Sequence, residues 1–186
     1  DEARKLLEEL KRLAERVLKT DTDLLDESRR ILEEVLKTNK KSIEDSKRLA
    51  EDVLRKVARE GGESERAKDL IRKLLEDLKE LLKRSHETNK RLLEELRRLD
   101  EEIHRTNEKL LRELKALLDR IREAGLEEEV LDRVREIMER VLTESKELND
   151  RIHTISRKAE EDSKRLNEED RAIMEDVRRE LKRVVD

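Results

Sequence analysis

Leu, Ile and Val recur along this chain at alternating steps of three and four. The first stripe runs Leu6, Leu10, Leu13, Val17, Leu24, Ile31 and Val35, then Leu49 and Val53. A second runs Ile71, Leu74, Leu78 and Leu81, then Leu92, Leu96, Leu99, Ile103, Leu110, Leu114, Leu117 and Ile121. The third is Val130, Val134, Ile137, Val141, Leu148, Ile152, Ile155, Leu166, Ile173, Val177 and Leu181. That spacing holds one face of an α-helix against a core. Punctuation falls in only two places, "EGGES" at Glu60 to Ser64 and "EAGLEEE" at Glu123 to Glu129, where glycine marks the residue just past a helix end. The pattern predicts three helices, about 2–60, 64–123 and 126–185, within a single domain over 1–186. Each is roughly 90 Å long at 1.5 Å per residue. Short turns make successive helices antiparallel neighbours, so the expected fold class is all-α, an up-down-up three-helix bundle of coiled-coil-like helices.

The stripe is interrupted by polar residues. Within "KTNKKSIEDS", Thr38, Asn39, Ser42 and Ser46 stand where apolar residues should continue. If turns sit midway between helices, facing residues on the first and second helices have numbers adding to about 124, and those on the second and third to about 250. Thr38, Asn39 and Ser42 then face Ser85, His86, Thr88 and Asn89, and across the bundle Ser163 and Asn167. A second interruption, Thr20 and Asp21, lands near His104, Thr106 and Asn107, then near Ser145 and Asn149. Ser28 maps near His153 and Ser156, with Leu96 and Leu99 on the second helix. Polar meets polar from three separate segments. These residues are therefore expected to form buried hydrogen-bond layers, in which a shifted register leaves groups unsatisfied at a cost of about 1 to 3 kcal/mol each. Two competing readings are outward-facing polar stripes and, at "TDTD", a helix break with Asp23 as N-cap. Against the break, Val17 and Leu24 stay seven apart across it.

Composition narrows the class. Of 186 residues, 53% are charged and 33% hydrophobic, with no aromatic, Pro or Cys and only three Gly. Such enrichment in Glu, Lys, Leu and Arg is that of long helices and coiled coils. Missing aromatics remove stacking platforms for nucleic acid, and the net charge of −4 is spread over interleaved acids and bases, which describes solvated helix faces. Without cysteine there is no disulfide or thiolate site. No apolar run reaches the roughly 18 residues of a membrane span, and no targeting signal is visible. The expectation is a soluble protein, cytoplasmic on recombinant expression, with no nucleic-acid, membrane or small-molecule partner.

Three near-equal helical stretches, glycine turns, repeats such as "LLEELKRL", the recurring "KTNKK", "ETNKR" and "RTNEK", and matched polar layers together resemble de novo designed helical bundles with programmed buried hydrogen-bond networks. The resemblance covers the whole chain. Spectrin-like repeats share the topology but typically carry a core Trp, and tropomyosin-like coils lack the glycine turns. The resemblance implies a structural scaffold or an engineered interaction module, without a natural substrate.

Chemistry has little to work with. "EEIH" places Glu101 and His104 three apart, the spacing of di-iron bundles, which need a second such pair at the same level. "DRIH" supplies Asp150 and His153, but the midpoint rule sets His153 opposite residue 97, roughly 10 Å along the axis from His104. The two histidines are thus not expected to share a site, and no metal or cofactor is assigned. No nucleophile elbow, triad order or phosphate-binding glycine loop occurs, so no enzyme activity is expected. Two alternatives to a plain scaffold stay open. Doubled pairs, Leu24-Leu25, Ile31-Leu32, Leu74-Leu75, Leu92-Leu93, Leu117-Leu118 and Val141-Leu142, widen the stripe beyond a two-in-seven seam and suit an interaction module that takes a fourth helix or a second copy. One histidine per layer suits a pH-responsive bundle, since protonation would place a charge inside it.

Overall fold

A computed structural model describes residues 2–61 and 64–185, with the side chains of 181, 184 and 185 set aside. It consists of three helices, α1 (Glu2–Glu60), α2 (Glu65–Glu123) and α3 (Glu128–Val185), of 59, 59 and 58 residues. α1 runs unbroken through Thr20 to Asp23, so "TDTD" is helix interior and Asp23 caps nothing. The helix breaks fall where glycine placed them, although Gly62 and Glu63 lie outside the described residues, as does the Leu181 side chain that the stripe assigned to the core.

Local chemistry explains both breaks. Gly61 and Gly125 take φ of 79° and 63°, the left-handed region that a Cβ disfavours. Ser64 then caps α2, its Oγ accepting from the Ala67 amide at 3.1 Å, and so satisfies one of the four orphan donors of the first turn. At the other turn the Ala124 amide donates to the Arg120 carbonyl at 3.0 Å and Gly125 to Arg122 at 3.3 Å. α3 starts two residues later than the pattern suggests, because the Val130 and Leu131 amides first find a carbonyl at Glu127.

Packing divides the chain into two compact units, each built from segments of all three helices. Unit 1 comprises 1–30 and 95–156, and unit 2 comprises 31–94 and 157–186. In unit 1, Leu6, Leu10, Leu13 and Val17 of α1 pack with Leu110, Leu114, Leu117 and Ile121 of α2 and Val134 and Val141 of α3. In unit 2, Val57, Ile71, Leu74, Leu78, Met174 and Val177 form the core with Ala50 and Ala67. Small residues at such positions let backbones approach, as helix packing distances depend on the contacting side chains.

Contacting residues on antiparallel helices are displaced from the midpoint rule. Asn39 meets Asn89 where the rule places residue 85, and Ser85 meets Ser42 instead. One cause is the tilt of every helical Cα–Cβ bond toward the N-terminus, worth about one residue on each helix. In an antiparallel pair, both residues that reach a shared spot must start C-terminal of it. In the parallel α1–α3 pair the tilts agree, and bonded partners keep separations of 123 and 124 residues.

The doubled pairs split between interior and surface. Leu25 is buried with Leu24, whereas Leu32, Leu75, Leu93 and Leu118 are half-buried and Leu142 is exposed. On α2, Leu114 is 1% exposed while Leu111 is 44% exposed. Leu114→Ala is therefore expected to lower stability by about 2–5 kcal/mol, and Leu111→Ala by no more than about 0.5 kcal/mol, as read from urea unfolding of the two variants against the parent.

Candidate functional site

The features that set this chain apart from a plain leucine bundle are its interior polar groups. In unit 2, α1 contributes Asn39, α2 contributes Asn89, and α3 contributes Asp162 and Ser163. Ser163 Oγ donates to Asn89 Oδ1 at 3.0 Å, Asn89 Nδ2 donates to Asn39 Oδ1 at 2.6 Å, and Asn39 Nδ2 donates to Asp162 Oδ2 at 2.9 Å. The direction is forced by chemistry. An ionised carboxylate only accepts, so Asn39 must turn its amide nitrogen to Asp162 and its oxygen to Asn89. Asn89 must then donate, which leaves its own oxygen for the Ser163 hydroxyl. Asn89 spends its remaining hydrogen on the Ser85 carbonyl at 2.9 Å. Beside this chain the Ser42 and Ser85 hydroxyls bond each other. Thr38 is half-buried at the margin.

Unit 1 holds two further interior hydrogen bonds between helices. Asp21, fully buried, accepts from Ser145 Oγ at 2.8 Å, and Asn107 Nδ2 donates to Asn149 Oδ1 at 3.0 Å. Burial pushes the Asp21 carboxyl above its ordinary range, with donation from Ser145 opposing it. Satisfaction here is incomplete, since Asp21 Oδ1 and Asn107 Oδ1 have no partner. Thr20 is half-buried.

Other members assigned from the sequence lie elsewhere. His86, His104 and His153 are exposed, so none is an interior member, and the premise of a buried histidine switch fails. A bulky imidazole one position off the stripe turns outward where Ser or Asn fits between helices. Ser28 is buried but donates to the Leu24 carbonyl of its own helix at 2.9 Å, the local alternative open to any helical serine. Ser156 Oγ and Asn167 Oδ1 are without partners, and both residues are half-buried.

The displacement of antiparallel partners also overturns the separation expected for the histidines. His104 and His153 are neighbours, with ring centroids 5.8 Å apart, and both face Asp100. His153 Nδ1 lies 3.6 Å and His104 Nε2 3.9 Å from Asp100 Oδ1. The pairs "EEIH" and "DRIH" are not the relevant grouping, because Asp100 sits one turn from His104 at i, i+4.

Two interior carboxylates escaped the sequence reading. Asp162 is held by Asn39 and by Arg165 at 3.1 Å. Asp170 is 4% exposed beside Ser46, Leu78, Leu82, Ile173 and Met174, and its Oδ2 has no partner. A signal existed, since Leu166 and Ile173 are seven apart and Asp170 fills the gap, as Asp21 does between Val17 and Leu24.

A solved structure described as "Computationally designed three helix bundle" resembles this chain at a TM-score of 0.50, covering 99% of this chain and 89% of that one at 18% identity. The fold is a three-helix bundle. No family model and no curated protein matches the chain.

Asp170 is expected to make the stability of the bundle pH-dependent. Desolvation, with the charge of neighbouring Glu169 adding to it, raises its carboxyl from 3.8 to about 6. Between those values the folded state binds the proton that the unfolded chain releases, so stability falls as pH rises. The advantage of the protonated form is complete below about 4 and gone above about 6. Asp170→Asn, which cannot ionise, is expected to stabilise the protein at pH 7.5 by about 1 kcal/mol or more. The gain should shrink toward zero at pH 4, as measured by urea midpoints at both values.

Proposed function

We propose that the chain is a de novo scaffold whose biological content is its own fold, with register specified by the interior polar layers. The observation that carries this reading is the one-way hydrogen-bond chain from Ser163 through Asn89 and Asn39 to Asp162. Leu, Ile and Val contacts pack almost as well after a shift by one heptad, whereas each amide accepts only one arrangement of donors and acceptors. A misaligned alternative strands several polar groups at about 1–3 kcal/mol apiece. Composition, idealised repeats and the three-helix fold shared with a designed protein support the same reading. Catalysis draws no support from the sequence, which carries no nucleophile elbow, triad order or phosphate-binding glycine loop.

The test separates stability from specificity. Asn89→Ala should lower stability by about 2–3 kcal/mol, since it leaves the Asn39 side-chain oxygen and the Ser163 hydroxyl without partners. Replacing Asn39, Asn89, Asp162 and Ser163 together by apolar residues should match or exceed the parent in stability while populating more than one conformation, seen as multiplied or broadened amide resonances. A single sharp set of resonances from that variant would remove the specificity role.

A second reading, as a component that takes a fourth helix or a second copy, draws on exposed Leu36, Leu111 and Leu142. Solution mass at neutral pH discriminates. The scaffold reading expects 22.3 kDa, and a multiple of it favours self-association.

A further inference from the structure

The group formed by Asp100, His104 and His153 has no role in the polar layers, and its chemistry is that of a metal site. Its ligand atoms all lie within 4.8 Å of one another, and among the described residues it alone brings three metal-ligating side chains into such an arrangement. We propose that these three residues bind a divalent transition ion of the zinc class, linking α2 to α3 within unit 1.

Donor type, geometry and freedom to adjust all support this. Two imidazoles and one carboxylate are borderline ligands that suit Zn²⁺, Co²⁺ or Ni²⁺ rather than the all-oxygen sites of Mg²⁺ or Ca²⁺. A tetrahedral ion with bonds near 2.1 Å places its ligands about 3.4 Å apart. Asp100 Oδ1 is already 3.6 Å from His153 Nδ1 and 3.9 Å from His104 Nε2, so small side-chain rotations close the site. Those rotations are free, as the histidine side chains are 59% and 53% exposed. Asp100 and His104, one helical turn apart, form a chelate on α2, and His153 completes it from α3. The exposed side leaves a fourth position for water. Neutral imidazoles are the liganding form, and the carboxylate offsets part of the ion's charge.

Co²⁺ titration of the full chain, followed by visible absorption and then displaced with Zn²⁺, tests the site. One Co²⁺ per chain is expected, and Zn²⁺ should raise the urea midpoint by binding the folded state alone. His104→Ala, His153→Ala and Asp100→Asn should each weaken binding by at least about tenfold. His86→Ala, an exposed histidine outside the group, should leave it unchanged. The substituted groups are exposed or half-buried, so circular dichroism of each apo variant should match the parent. The proposal is overturned if the parent shows no saturable binding, if affinity survives loss of His104 or His153, or if His86→Ala weakens it equally.

Discussion

A side-chain amide inside an apolar core must have both of its ends answered, and the interior of this bundle is arranged around that requirement. Asn39 and Asn89 each carry a donor and an acceptor into a region where water cannot serve them. Each meets the need with the other and with α3. Because Asp162 accepts only, a single order of donation runs through three helices. Leucine packing supplies the drive to collapse, but hydrophobic burial is non-directional. Direction enters through hydrogen bonds, which fix the end of each amide that faces each neighbouring helix.

Unit 1 shows the cost of meeting that need incompletely. Asp21 has one oxygen bonded to Ser145 and the other without a partner, and burial raises its carboxyl for that reason. Asp170 lies among mostly apolar neighbours with no donor at Oδ2. These two aspartates are interior carboxyls that burial raises above their ordinary range. Surface charges do little by comparison. Most ion pairs lie between exposed side chains at i, i+3 or i, i+4, as in Arg105–Glu101 and Arg135–Asp132, where solvent screening leaves each pair about 0–1 kcal/mol.

Much of the polar interior was legible as gaps in a periodic stripe. Asn39, Ser42, Ser85, Asn89 and Ser163 stand where an apolar residue is due, and the structure brings them together. The histidines were misplaced because matching levels along an axis says nothing about which way a side chain points around it. His86 is exposed although its neighbours Ser85 and Asn89 are interior. Asp162 and Asp170 were passed over because acidic residues normally mark the solvated face, and one buried acid among many exposed ones has no compositional signature. Ser28 shows the converse, a buried hydroxyl whose partner is its own backbone.

Helix number, helix limits and the division into apolar and polar faces were determined by the sequence alone, because each depends on neighbours within a few residues: the three-four step, and glycine at Gly61 and Gly125. Which residues meet across helices was decided by the tertiary structure. The tilt of side chains toward each helix N-terminus displaces partners by about one residue on each antiparallel helix, and helix packing adds the rest of the offset that sets Asn39 on Asn89 and His104 beside His153. A stripe read along one helix carries no information about that displacement, since it arises only when two helices of opposite direction share one contact.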